Sequence, residues 1–123
     1  MVLALRVVGE LFRYEIAHKV GGFRALHESV RNTSVAPRSP EPEIVSRVCE
    51  AVSFAACFYW KPVLCMQRAV VITRLLRRCG VKAEMVIGYR PSPFFSHAWV
   101  EVDGRVVNDS PAYRERLLVL ERL

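Results

Sequence analysis

Helices first and a small antiparallel sheet after: the chain reads as an α+β protein, N-terminal helices leading to a helix packed on strands. Three observations predict this. Apolar residues recur every three or four positions at Leu3, Val7, Leu11 and Tyr14, again at Ile44, Val48, Val52, Ala55 and Tyr59, and again at Cys65, Ala69, Ile72, Leu76 and Cys79. Every proline, and Gly21, Gly22 and Gly80, fall between or after those stripes. Beyond Gly80 the chain changes to short strand-like runs, two of them meeting at Asp103-Gly104, a strong hairpin signal.

The 123 residues suit one domain, with a helical segment and loop over 1–40 and a core over 41–123. A composition that is 52% hydrophobic and 24% charged is globular. The formal charge of +6 suits an acidic partner (nucleic acid, an anionic membrane face, an acidic peptide) or simply a solvated basic surface. The opening apolar run is cut by Arg6, Glu10, Arg13 and Glu15, so it does not read as a secretory signal. The four cysteines are therefore expected to stay reduced, in a cytoplasmic protein. Their spacing lacks the close pairs of a zinc site, and neither a metal nor a cofactor is expected. No apolar run approaches the ~20 residues of a membrane span.

In chain order, the first helix is expected over 2–19, ended by Gly21 and Gly22 with Lys19 in its last turn, and a short helix follows from Phe23 to Val30. His18 and His27 lie there without acidic or cysteine neighbours at useful spacing and read as ordinary surface or boundary residues. Asn32 to Glu43, with Pro37, Pro40 and Pro42, is a loop. The next helix starts at Pro42 and, being almost free of polar residues from Ala51 to Trp60, is expected to be buried on most sides. Pro62 stops it. A third helix runs from about Val63 to Cys79, with Arg74, Arg77 and Arg78 favourably placed against its negative end and Gly80 as cap. Strands are expected near Lys82–Tyr89, His97–Val102, Arg105–Asp109 and Leu117–Glu121.

Position separates the four cysteines. Cys65 opens a helix, where unpaired N–H groups and partial positive charge favour a thiolate. Cys49 and Cys57 fall inside a helix expected to be buried, and Cys79 lies at the negative end of its own. The hairpin offers the partners. With a two-residue Asp103-Gly104 turn, Ala98 opposes Asp109, and His97 and Asp109 point to opposite faces. A three-residue loop of Val102, Asp103 and Gly104 instead sets Glu101 against Arg105, Trp99 against Val107 and Val100 against Val106, all favourable pairs, and brings His97 opposite Asp109. The second register is therefore expected, with His97 and Asp109 about 5 Å apart at Cβ. Asp103, roughly 20 Å along the strand from His97, is a turn residue only. Asp109 then holds one nitrogen of His97 while the other faces Cys65, which is the logic of a triad with a thiol nucleophile.

These residues, in the order C-M-Q-R, F-F-S-H-A-W-V-E-V-D-G and V-V-N-D and down to the closing L-V-L-E-R-L, resemble the leader peptidases of lasso-peptide biosynthesis. That family belongs to the transglutaminase-like superfamily of papain-type cysteine enzymes, and the resemblance spans roughly Ala51 to Leu123. It implies removal of the leader from a ribosomally made precursor peptide, with Cys65 as nucleophile, His97 as general acid/base and Asp109 as its orienting partner. It also implies a separate leader-binding recognition-element protein as partner, a macrolactam synthetase acting on the freed core, and a small pocket near Cys65 for the threonine usual at the penultimate leader position. The Cys65 backbone N–H is the natural first oxyanion donor. Tyr59 and Trp60, shortly before the nucleophile, are candidates for the second, although both fit core or pocket wall better than a donor role, and Gln67, inside the helix, is a weaker candidate. Phe94, Phe95 and Ser96 beside His97 are candidates for the substrate groove. Two alternatives use the same residues: a transglutaminase-like acyltransferase, and a non-catalytic peptide-binding module. No recognition-helix or RNP-like pattern supports nucleic acid.

Overall fold

A computed structural model describes residues 2–123. Its elements are α1 (Val2–Arg31), α2 (Ile44–Phe58), α3 (Cys65–Arg78), β1 (Ala83–Pro91), β2 (Phe94–Val102), β3 (Arg105–Val106), α4 (Ala112–Arg116) and β4 (Leu118–Arg122). The strands form one antiparallel sheet in the order β3-β2-β1-β4. The α+β expectation holds, with α1, α2 and α3 on one face of that sheet. The short α4 was not expected.

The two expected N-terminal helices are both present, joined at Gly22, whose φ of 62° and ψ of −152° break α1 in a conformation open to glycine. The break folds one half back along the other: Glu10 of the first half and the Ser29 carbonyl of the second both accept from the Arg74 guanidinium, at 2.8 and 2.9 Å. Val7 and Leu11 from one half and Val30 from the other are fully buried in the core with Val71, Leu76, Met85 and Val100. Residues 32–43 form the expected loop.

Buried charge ties α1 to α3. Arg74 is 3% exposed and meets Glu10, which Arg78 also reaches at 2.7 Å. At the other end Glu15 takes Lys61 at 2.7 Å. Arg77 donates to the carbonyls of Val30, Thr33, Ala83 and Leu123. The arginines expected to serve only the α3 dipole are thus structural pins between helices, loop and sheet. His27, expected to be idle, bonds Glu121 of β4 at 2.9 Å.

The expectation that α2 is buried on most sides is not met. Only its Val48 and Val52 are fully buried, while Phe54 and Phe58 are 68% and 76% exposed. The apolar run has two faces, and α1 and α3 cover one. Cys57 is exposed in consequence.

Candidate active site

Cys65 is the first residue of α3, one position inside the extended Leu64. The first helical bond there runs from the Arg68 N–H to the Leu64 carbonyl at 3.0 Å, so the N–H groups of Cys65, Met66 and Gln67 have no acceptor within the helix. No acidic residue occupies the first turn. The thiol is partly buried against the core together with Tyr14, Tyr59 and Val107. Burial first, and then the charges of Glu15 and Cys65, push the Tyr14 phenol up to about 12, so its hydroxyl keeps its proton at neutral pH. Tyr14 carries no sequence signal beyond its place on an apolar stripe.

His97 and Asp109 are in contact: Nε2 of His97 lies 2.6 Å from Oδ2 of Asp109. The route to that contact is not the expected one. The turn has two residues, Asp103 and Gly104, both at positive φ (52° and 76°), as a type I′ turn demands. Val102 pairs with Arg105 and Glu101 with Val106, which overturns the three-residue loop and its register. Intrinsic turn preference outweighs the cross-strand pairs that favoured the longer loop. The ladder would now carry Asp109 to the face opposite His97, but it ends first. The Val107 N–H still donates to the Val100 carbonyl at 3.0 Å, whereas the Val100 N–H donates to Asn108 Oδ1 at 2.8 Å. Freed from the sheet, the chain turns at Asp109, whose other oxygen accepts the Ser110 N–H at 2.8 Å, and enters α4.

With Nε2 engaged by Asp109, Nδ1 is the ring nitrogen available to a nucleophile. Among the described residues no hydrogen bond joins Cys65 to His97. Along β2, Ala98 and Val100 pack under α3, whereas Trp99 joins Val86 and Leu117 on the other face, with Tyr113 of α4 packed against them. His97 follows Trp99: its ring lies nearly parallel to Tyr113 at 4.0 Å and is stacked more distantly with Phe95 and Trp99.

That face rests on Glu101, 2% exposed, whose carboxylate receives Trp99 Nε1 at 2.9 Å and Arg122 at 3.0 Å, with Arg114 at 3.9 Å. Burial alone would raise the Glu101 carboxyl. The hydrogen bonds from Trp99 and Arg122 and the charges of Arg122 and Arg114 outweigh it and hold the group below the usual carboxylate range. Opposite His97 stands Gly88 of β1, where an added Cβ would meet the Trp99 ring at 2.6 Å.

The other expected site residues fare unevenly. Gln67 is 3% exposed and its amide donates to the Leu11 carbonyl at 3.3 Å and Glu15 at 3.1 Å, so its donors serve the α1–α3 contact and it is no oxyanion candidate. Tyr59 is half-buried, and its hydroxyl is enclosed without a partner among the described residues. Trp60 is exposed and, with Tyr59, Phe12, Phe54 and Phe58, lines an apolar groove of about 830 Å³ between α1 and α2. Phe94 and Ser96 lie in β2, which begins three residues before the expected strand start at His97, and are exposed; Phe95 stacks toward both His97 and Tyr113. No cluster of three or more metal-ligating side chains occurs among the described residues. None of the described helices is long and apolar enough to cross a membrane.

Residues 9–122 match the family described as the transglutaminase-like superfamily. The chain belongs to that superfamily. A curated relative, the microcin J25-processing protein McjB of Escherichia coli, is 41% identical over 59 residues, which cover 48% of this chain and 28% of McjB. The matched region thus spans little more than a quarter of the relative's length. No solved structure matches.

Proposed function

We propose that the protein is a cysteine peptidase that removes the leader from a ribosomally made lasso-peptide precursor in the reducing cytoplasm. The observation that carries this reading is the His97–Asp109 contact at 2.6 Å in a transglutaminase-like chain whose Cys65 opens a helix. The name of McjB, a processing protein for a peptide, supports a peptide substrate. All four cysteines are free of disulfides, so the Cys65 thiol is open to act as the nucleophile.

In this mechanism the Cys65 sulfur attacks the scissile carbonyl, and His97, held through Nε2 by Asp109, carries the thiol proton to the departing amine. The C–N bond breaks, the core peptide leaves with a new amino terminus, and the leader remains as a thioester on Cys65. Water, deprotonated by His97, then releases the leader acid and restores the thiol. Helix N–H groups at Cys65 stabilise the oxyanion. The partners are the precursor peptide, a leader-binding recognition-element protein and, downstream, a macrolactam synthetase.

The test mixes the protein with precursor and recognition partner and follows peptide mass. Cleavage at the leader–core junction that disappears in Cys65→Ala is expected. Undiminished cleavage by Cys65→Ala overturns the mechanism. An amine adduct in place of the free leader acid points to the acyltransferase alternative, and an intact but bound precursor to a binding module.

A further inference from the structure

The segment that brings Asp109 to His97 also brings a second group. Four residues on, Tyr113 of α4 lays its ring on the imidazole face at 4.0 Å, with 28° between the planes. One side chain therefore meets the ring in its plane and the other meets its face, both from a stretch only five residues long. This stretch is not loose. Ser110 and Ala112 N–H groups are capped by the Asp109 and Ser110 side chains, and Arg114 reaches back to the Gly104 carbonyl and toward buried Glu101. Phe95 stacks on Tyr113 from the side, at 6.2 Å between centroids.

We propose that Tyr113 is a positioning residue for His97: its ring holds the imidazole plane while Asp109 holds Nε2, which leaves the Nδ1 edge free for proton transfer. The inference rests on the peptidase reading above. Two physical effects follow from the stack. Rotation of the imidazole about its side-chain bonds is blocked by an aromatic wall, which reduces the orientational cost of each proton transfer. The electron-rich ring face also favours the imidazolium that forms when the thiol gives up its proton.

The groups facing His97 can be named from every side. Asp109 comes from the loop after β3 and Tyr113 from α4, Phe95 and Trp99 flank it on β2, and Gly88 opposite contributes no side chain. Beyond these, Arg90 stands over Phe95, and Glu101 is engaged by Trp99 and Arg122. Asp109 is thus the negative group that supports the imidazolium, and Tyr113 adds to it without a charge.

The experiment measures leader release against pH for Tyr113→Phe and Tyr113→Leu in the presence of precursor and recognition partner, with thermal unfolding of each variant. Tyr113→Phe keeps the ring and is expected within twofold of wild type. Tyr113→Leu is expected to lose about tenfold in kcat with KM little changed, and to move the alkaline limb of kcat/KM down by about one pH unit, as loss of a cation–π contact requires. A merely structural role lowers the melting temperature without moving that limb. If Tyr113→Leu fails to fold, Tyr113→Met fills the space without a π face and gives the same reading. An unmoved limb with undiminished kcat in a folded Leu or Met variant overturns the proposal, as does an equal loss in Tyr113→Phe, which would assign the effect to the hydroxyl. Failure of the peptidase reading is separate, since it shows as cleavage by Cys65→Ala whatever residue occupies position 113.

Discussion

Asn108 ends strand β3 by accepting the backbone N–H of Val100 at 2.8 Å, in place of the next main-chain carbonyl of the ladder. That substitution of a side-chain amide for a backbone carbonyl decides where the following residue goes. Strand parity would set Asp109 beside Ala98, on the α3 face; with the ladder closed off, it meets His97 instead.

Asn108→Val removes the competing acceptor and favours continued pairing. The expected result is a loss of leader release of at least tenfold with a stability change of only about 1 kcal/mol, the worth of one hydrogen bond. Kinetics and thermal unfolding on the same preparation check it. Full activity in the folded variant would show that Asp109 does not need this stop to reach His97.

Glu101 makes stability depend on acid. Its carboxyl is held below its ordinary value in the folded protein, so its contribution is fully present above about pH 4.3, the unfolded value. That contribution is lost as the pH falls through the folded value. Glu101→Gln should therefore cost about 1.5–3 kcal/mol at pH 7, where charged hydrogen bonds from Arg122 are lost. The difference from wild type should shrink on acidification. Urea unfolding at pH 7 and at successively lower pH measures this, and parallel curves for the two proteins would contradict it.

Cys49 should resist alkylation. Burial first and the Glu50 charge second push its thiol up to about 11, which leaves roughly one part in a thousand as thiolate at pH 8. Site-resolved mass spectrometry after brief iodoacetamide treatment is expected to find Cys49 modified last. Cys57, being exposed, provides the internal reference for an accessible thiol. Modification of Cys49 ahead of Cys57 in the folded protein would refute the assignment.

Gly88→Ala should destabilise the sheet. Its Cβ would lie 2.6 and 2.8 Å from atoms of the fully buried Trp99 ring and 3.0 Å from Leu117 Cβ, and neither neighbour has room to withdraw. A cost of about 1–3 kcal/mol is expected from such overpacking. Denaturant titration decides it, and an unchanged midpoint would mean that Trp99 can shift without loss.

Local chemistry carries most of the secondary structure and part of the site. The apolar stripes marked the helices, the Gly21-Gly22 pair marked the break in α1, and the prolines marked the loop before α2, because each depends on residues within one or two turns of one another. The place of Cys65 at the head of α3 was legible for the same reason. Three features were not. The hairpin register turned on a single residue in the loop, and cross-strand pairing pointed to the wrong length where the Asp103-Gly104 turn preference prevailed. Which face of α2 is covered depended on where α1 and α3 lie, so an unbroken apolar run did not reveal that Phe54 and Phe58 face outward. The contacts of Arg74 with Glu10, Gln67 with Glu15 and Asn108 with Val100 join separate elements, and no local pattern encodes them. His97 and Asp109 were expected as partners from a three-residue-loop register and from the family resemblance, yet they meet because one asparagine side chain closes a strand that would otherwise have kept them apart.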